Sequence, residues 1–330
     1  MAEKTGIAWC DSTFNPWLGC TKVSPACDHC YAEKFGKRIG VEWGAGKARR
    51  RTSASTWQQP LRWNAKPFYE CKNCGLRTDN PMCAQCIGPE RSQHLWRPTR
   101  RRVFCGSLCD VFDNEVPNEW RFDLFRLIES TPHLCWLLLT KRIGNANAML
   151  PFKWKDGVRA NVWIGATICN QEEADRDIPK LLKVPAAKHF LSIEPMLGPV
   201  DIERFLSPLC ESGSVPGPYG GGKTCPRCDG AGNCPSLDWV ICGGETGKHA
   251  RPMHPSWVRS LRDQCVAAGT AFWFKQWGGF LPDECCTHSQ IMRNICVPMP
   301  GERGDKAMIR VGHKAAGNML DGRTWTEVPA

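Results

Sequence analysis

The chain has 330 residues, with 43 Lys and Arg against 33 Asp and Glu, a net charge of +10, and 21 cysteines. Its length accommodates one large α/β domain with insertions, or two domains, and excludes a miniature scaffold that lacks a core of its own. The opening MAEKTGIAWC has no apolar signal core and no stretch approaches the roughly 18 apolar residues of a membrane span, so a cytoplasmic protein with no membrane partner is expected. In that compartment so many thiols, odd in number, read as metal ligands and small buried side chains rather than as a disulfide framework. The positive balance favours a polyanionic partner such as nucleic acid.

Residues 1–64 form an N-terminal segment and a first strand-helix unit. Residues 1–16 are turn-rich and aromatic, with a strand expected before Cys20. The stretch WLGCTKVSPACDHCYAE then carries Cys20, Cys27 and Cys30 within eleven residues. Structural zinc and ordinary ferredoxin clusters take four protein ligands, whereas three cysteines on one loop leave one iron of a 4Fe-4S cluster open to a small molecule. Cys10 is a weaker candidate for a fourth ligand, since it lies outside this compact loop. A short helix is expected over 31–40, ending at Gly40. Residues 44–64 read as a basic loop with Arg49, Arg50 and Arg51 near Trp57 and Trp63, a mixture suited to phosphate contacts and base stacking, or simply to a solvated loop anchored by its tryptophans.

Residues 65–100 read as a zinc-ribbon-like insertion. Here CKNCGLRTDNPMCAQC sets the knuckle Cys71 and Cys74 and the knuckle Cys83 and Cys86 on either side of eight intervening residues. Two facing CxxC knuckles complete the four-thiolate tetrahedron that Zn²⁺ prefers, a closed site that scaffolds rather than catalyses. Trp96, Arg97, Arg100, Arg101 and Arg102 follow as further candidates for nucleic-acid contact.

From residue 101 onward, short apolar runs alternate with amphipathic ones. The runs RVFCGSLCD, CWLLLTKR, NVWIGATIC, HFLSIEPM, LDWVICGGE and AFWFKQWG have the continuous hydrophobicity of buried parallel strands. Helices are expected over 120–130, 171–182 and 255–269, the last closing on Gly269. With the strand before Cys20 this makes about seven strand-helix units, which favours a partial or complete (β/α) TIM-like barrel over an open doubly wound sheet. The domain expectation is barrel over 101–206, a second cysteine-rich insertion over 207–236, and barrel completion with a C-terminal segment over 237–330.

In such barrels the carboxyl ends of the strands form the site. The polar residues at those ends are Ser107 and Asp110, Thr140 and Lys141, Asn170 and Gln171, Ser192 and Glu194, Gly243, Gly244 and Glu245, and Lys275 and Gln276. The insertion at 207–236 is rich in Gly and Pro and carries Cys210, Cys225, Cys228 and Cys234, a candidate second zinc site. Cys285, Cys286, His288 and Cys296 lack the spacing of a third.

The runs GCTKVSPACDHCYAEKFGKR, VFCGSLCDVFDNEVP, LLLTKR, NVWIGATICNQEEADRDIPKLL, FLSIEPMLGPVDI, DWVICGGETGKHARPMHPSWVRSLRDQC, FWFKQWG and VGHKAAGNMLDGRTW together resemble a phage-encoded three-cysteine-motif protein family related to radical SAM enzymes. The resemblance covers most of residues 5–330 apart from the two insertions. It implies a TIM-like barrel of the radical SAM type, with a 4Fe-4S cluster on Cys20, Cys27 and Cys30. It further implies S-adenosylmethionine bound at the fourth iron, an electron donor that reduces the cluster, and a host-cytoplasmic location if the chain is phage-encoded. Reduction would generate a 5′-deoxyadenosyl radical that abstracts hydrogen from an unactivated carbon, chemistry that belongs to the cofactor.

Two departures from the superfamily pattern stand out. Six residues separate Cys20 from Cys27 where three are usual, and the aromatic position before the third cysteine is His29, with Tyr31 after it. The Gly-Gly-Glu stretch, which in the superfamily follows the second strand, here follows a late one, so recognition of the SAM amino group passes to Ser107 or Asp110. Tyr31, Thr140, Lys141, Asn170 and Ser192 complete the expected cofactor-binding set, and Glu194, Glu245 and Lys275 the expected catalytic set. The function expected is radical modification or rearrangement of a nucleobase substituent, on hypermodified thymidine in phage DNA. The alternatives are a non-catalytic, metal-stabilised nucleic-acid- or partner-binding protein, and a radical SAM base-repair lyase.

Overall fold

The computed structural model describes residues 3–81, 96–155, 157, 159–207, 214–216, 222–225, 230, 234–299 and 306–329. The chain has a mixed α/β fold built on a seven-stranded parallel sheet. Its strands are β1 (Ser12–Phe14), β2 (Arg101–Cys105), β3 (Leu134–Thr140), β4 (Val162–Thr167), β5 (Lys188–Ile193), β6 (Trp239–Gly243) and β7 (Ala271–Gln276). β2 to β7 fall on the six apolar runs seen in the sequence, and β1 supplies the strand expected before Cys20, within the segment read as turn-rich; β2 and β6 are buried at every position, as a sheet covered on both faces requires. Spatial order follows chain order from β1 to β7 without reversal. A doubly wound sheet reverses its order at a switch point, whereas sequential order is compatible with a partial TIM-like barrel.

The helices are α1 (Tyr31–Arg38), α2 (Ala54–Asn64), α3 (Asn118–Glu129), α4 (Ile143–Met149), α5 (Gln171–Leu181) and α6 (Pro255–Ala268). α5 begins where Asn170 accepts a hydrogen bond from the Glu173 backbone N–H at 2.9 Å, and α6 ends on Gly269 in the left-handed conformation, φ 67°. α2 corrects the expected loop over 44–64. Ser53 caps it through the Thr56 N–H, and Pro60, which reads as a breaker, sits inside the helix. Trp63 is thereby buried at 3% exposure. A helix that buries an aromatic in the core tolerates the one backbone hydrogen bond that proline removes.

The chain gathers into two compact units, one of Met1–Thr21, Ala32–Leu138 and Pro151–Trp163, the other of Lys22–Tyr31, Leu139–Leu150 and Ile164–Ala330. In the first, Phe14 on β1 meets Trp136 on β3 edge-to-face, with ring centroids 5.7 Å apart. β1 pairs with β2 and β2 with β3, so Ser12 lies opposite Val103 and Val103 opposite Trp136. A separate three-stranded antiparallel sheet has Tyr69–Cys71 at its centre, flanked by Arg77–Thr78 and Trp96–Pro98. In the second unit the core is Phe190, Trp239, Trp273 and their neighbours across β5, β6 and β7, with β6 parallel to both flanking strands. Leu281–Pro282, Lys306–Ile309 and Cys296–Met299 form a small antiparallel sheet in the C-terminal segment, which the sequence pattern did not reveal. Among the described residues no helix is long and apolar enough to cross a membrane.

Within the first unit the Arg49 side chain is fully buried against Asp113, Nε to Oδ2 2.8 Å, and also donates to Thr21 Oγ1 and to the Gly44 and Lys47 carbonyls. Removing one partner of such a pair strands a buried charge, so Arg49→Leu is expected to cost about 3–5 kcal/mol of unfolding free energy. Chemical denaturation of the variant beside the parent checks this, and a loss below about 1 kcal/mol would mean that the pair holds little together.

Candidate functional site

The cysteine loop is built from capped turns. Ser24 accepts from the Ala26 N–H at 3.1 Å, Pro25 opens a 3-10 turn over Pro25–Cys27, and the Cys27 N–H donates to the Ser24 carbonyl at 2.8 Å. The Cys30 N–H then donates to the Cys27 carbonyl at 3.3 Å. An i to i+3 bond closes the chain between the two cysteines, so they stand one turn apart just ahead of α1. Cys27 is buried and Cys30 half-buried. Cys20 belongs to the first unit, where it is half-buried, its carbonyl accepts from the Gly44 N–H at 3.0 Å, and the Gly19 N–H donates to the Leu108 carbonyl at 3.2 Å.

In the second unit the loop is tied to the segment after β6. Arg251 Nε donates to Glu245 Oε2 at 2.9 Å and Nη2 to Oε1 at 2.8 Å, a two-point fork, and the Arg251 backbone N–H adds a third bond to Oε2 at 2.8 Å. The same guanidinium reaches the loop, Nη1 to Asp28 Oδ2 and Nη2 to the Pro25 carbonyl, both at 2.9 Å. His29 Nδ1 lies 3.2 Å from Glu245 Oε2 but off the hydrogen-bonding direction. Burial alone would raise the Glu245 carboxyl, but the hydrogen bonds from Arg251 outweigh it and hold the group below the ordinary carboxylate range. Arg251 carried no signal of its own in the sequence, because nothing in GETGKHARP distinguishes it from a surface arginine.

Gly244 has a packing reason. A Cβ there would fall 2.0 Å from the Trp277 carbonyl oxygen, so the backbone after β6 runs too close to the Trp277–Gly278 stretch for any side chain. At the ends of β5 and β7, Lys275 Nζ lies 2.7 Å from Glu194 Oε1, and Ser192 donates to Glu194 Oε2 at 3.0 Å, so these three expected site residues do come together. Asn170 is the α5 cap, and Thr140 accepts from the Arg142 N–H at 2.8 Å. Lys141 is half-buried and Tyr31 exposed.

In the first unit Ser107 is held by Asn15, whose Nδ2 donates to it at 2.9 Å and whose Oδ1 takes the Leu108 N–H at 2.7 Å. Asp110 is buried and accepts from the Phe112 N–H at 3.0 Å. A lone Asn before a proline reads as a turn, so the sequence carries no signal for this role of Asn15. Burial keeps the Cys109 thiol well above its usual range, with the neighbouring Cys105 and Cys20 thiols acting in the same direction.

The expected arginine surface needs correction at three positions. Arg49 is engaged as described. Arg101 is buried, 3.1 Å from Asp79 and stacked on Phe68 at 4.6 Å, and Arg102 is buried beside Asp11. None of the three faces a polyanion. Arg51 pairs with Asp123 at 2.7 Å and stacks on Trp57 at 4.4 Å, and Arg97 pairs with Glu70 at 2.9 Å. Arg50 and Arg100 are exposed and donate to the carbonyls of Ile39 and Ala160.

A family model described as a protein of unknown function, DUF5131, matches residues 4–329. The chain belongs to the DUF5131 family. No curated protein and no solved structure matches it.

Among the described residues of this DUF5131 protein, no three His, Cys, Asp or Glu side chains gather around one metal-ion position. Cys27 and Cys30 have the soft donor chemistry that an iron-sulfur cluster takes and are set together by the turn between them; Cys20, the third thiol of the expected set, belongs to the first unit. In the first insertion Cys71 is buried at the end of the central strand and Cys74 is exposed, with the Gly75 N–H closing the knuckle onto the Cys71 carbonyl at 2.9 Å. Cys83 and Cys86 lie outside the described residues, as do Cys210 and Cys228 of the second insertion.

Cys225 and Cys234, both buried, are described, and their sulfurs are 3.8 Å apart. A disulfide would bring them to about 2.05 Å. Two thiolates on one tetrahedral Zn²⁺ at about 2.3 Å stand about 3.8 Å apart. Cys225→Ser and Cys234→Ser are each expected to lower bound zinc by about one ion per chain and to open 207–236 to protease, since metal binding is folding free energy in a segment this small. Elemental analysis with limited proteolysis checks this, and unchanged zinc in both variants contradicts it.

Proposed function

We propose that this DUF5131 protein is a radical SAM enzyme that modifies a nucleobase, with Cys20, Cys27 and Cys30 holding a 4Fe-4S cluster whose fourth iron takes S-adenosylmethionine. The observation that carries this reading is the turn that sets Cys27 and Cys30 together in a loop tied through Arg251 to the carboxyl end of β6. Parallel strands in sequential order, compatible with a partial TIM-like barrel, support it, because such folds build their sites at that end of the strands. When bound, the reduced cluster and its cofactor supply a carbon-centred radical for hydrogen abstraction, and an external electron donor is required.

The chain's own residues bind and orient. Ser107, fixed by Asn15, and the buried Asp110 are the acceptors assigned to the SAM amino group. Thr140, Lys141, Asn170, Ser192 and Tyr31 remain the other candidate cofactor contacts. Glu194 with Lys275 offers an ion pair to a polar substituent of the substrate. Zn²⁺ on the two cysteine-rich insertions would scaffold them.

The nucleobase reading draws on the net charge of +10 and on the family resemblance. A base within DNA has to leave the stack to reach such a site. The arginines left to hold the strand are the exposed ones, Arg50, Arg97 and Arg100.

Protein reconstituted anaerobically with iron and sulfide, then given SAM and a reductant, is expected to release 5′-deoxyadenosine. Ala at Cys20, Cys27 or Cys30 is expected to abolish the brown chromophore and that release together while leaving zinc in place; a triple variant that keeps its iron would sink the cluster. Arg97→Glu with Arg100→Glu is expected to weaken DNA binding and to flatten its salt dependence by roughly one in slope for each phosphate no longer neutralised. SAM cleavage without substrate should be untouched. Turnover of a free nucleoside with no DNA binding at low salt would place the reaction before polymerisation instead.

A further inference from the structure

We infer that Arg251 and Glu245 act together as a clamp that pre-forms the cysteine loop, and that both are positioning residues rather than groups that touch substrate or cofactor. This rests on the reading that Cys27 and Cys30 ligate the cluster. The geometry that separates a clamp from an open site is the occupancy of the donors. Four of the five guanidinium N–H donors of Arg251 are committed, two to Glu245, one to Asp28 and one to the Pro25 carbonyl. On the other side both Glu245 oxygens accept from Arg251, Oε2 from the backbone N–H as well. Little of either group is left over for a ligand.

The three anchor points differ in strength. Glu245 is 7% exposed, so its forked pair with Arg251 lies in a medium where charge-assisted bonds are strong. The Asp28 carboxylate is 52% exposed, and solvent weakens that bond. The Pro25 carbonyl is a backbone group in the 3-10 turn itself, two residues before Cys27, so this bond fixes the path of the main chain rather than a side chain. Glu245 in turn follows Gly244, whose backbone packs against the Trp277–Gly278 stretch and whose N–H donates to the Gln276 carbonyl at 2.9 Å, while the Glu245 carbonyl accepts from the Gly279 N–H at 2.8 Å. The rigidity of the sheet edge is thereby passed through one guanidinium to the loop that bears two thiols. Three thiolates that must meet one cluster lose less conformational entropy if their loop is already ordered.

The test compares the full-length protein with Arg251→Gln, Arg251→Lys and Asp28→Asn, each before and after anaerobic reconstitution. In Arg251→Gln, hydrogen exchange over residues 22–31 is expected to rise by roughly tenfold or more while α6 is unchanged, from the loss of charged hydrogen bonds. After reconstitution the same variant is expected to hold less iron and, per iron bound, to give an electron paramagnetic resonance signal of altered shape on reduction; a general loss of stability would lower the iron but leave that shape unchanged. Arg251→Lys keeps the charge but not the fork, so it is expected to remain impaired. Asp28→Asn, which leaves the Glu245 pair intact and guards against misfolding of the first variant, is expected to show a smaller rise.

Exchange over 22–31 and a reduced-cluster signal both unchanged in Arg251→Gln would overturn the clamp. If the parent protein itself takes up no iron, the cluster reading fails, and the exchange data decide the clamp alone.

Discussion

The bidentate pair between Arg251 and Glu245 is the interaction that ties the cysteine-bearing turn to the segment after β6. The loop over 22–31 has no strand pairing and is ordered locally by the Ser24 cap and the 3-10 turn over Pro25–Cys27. Arg251 ties that turn to the segment after β6, with Nε and Nη2 donating to Glu245, Nη1 to Asp28, and Nη2 also to the Pro25 carbonyl. Because Glu245 is buried and its backbone follows β6 directly, the reference point is the sheet itself. A lysine could neutralise the same charge but could not join three acceptors in one plane.

The fold makes such an anchor available. Parallel strands in sequential order bring every carboxyl end to the same edge, and the residues just beyond those ends belong to loops free to vary. Several polar residues at those ends act on their own surroundings. Asn170 caps α5, Asp110 holds the turn at Phe112, and Asn15 holds Ser107 and Leu108. Polar strand ends satisfy the backbone where the strand stops, and at the ends of β5 and β7 they bring Glu194 and Lys275 into an ion pair.

Charge shows a similar division. Of the arginines that gave the sequence a nucleic-acid look, Arg49, Arg101 and Arg102 are internal, each beside a carboxylate, and Arg51 lies against Trp57 and Asp123. Basic residues interleaved with tryptophans describe a buried ion pair and a stacked cation as readily as a phosphate track, because the guanidinium satisfies both kinds of partner. Net charge survives as an argument about association, carried by the exposed cations, while the local basic runs lose their force.

Strands β2 to β7 and the helices α3, α5 and α6 were legible in the sequence, because continuous apolar runs and 3.6-residue periodicity are local properties that burial imposes residue by residue, whereas β1 was expected only as a strand somewhere before Cys20. The turn that carries Cys27 and Cys30 is likewise local, one that Ser24 and Pro25 favour. Helix α2 was not legible, as Pro60 argues against it until Trp63 has a core to enter. The roles of Arg49 and Arg251 were beyond reach for the same reason. Their partners Asp113 and Glu245 lie 64 and six residues away along the chain, and which carboxylate a guanidinium meets is decided only when tertiary packing brings the two together and removes the water between them.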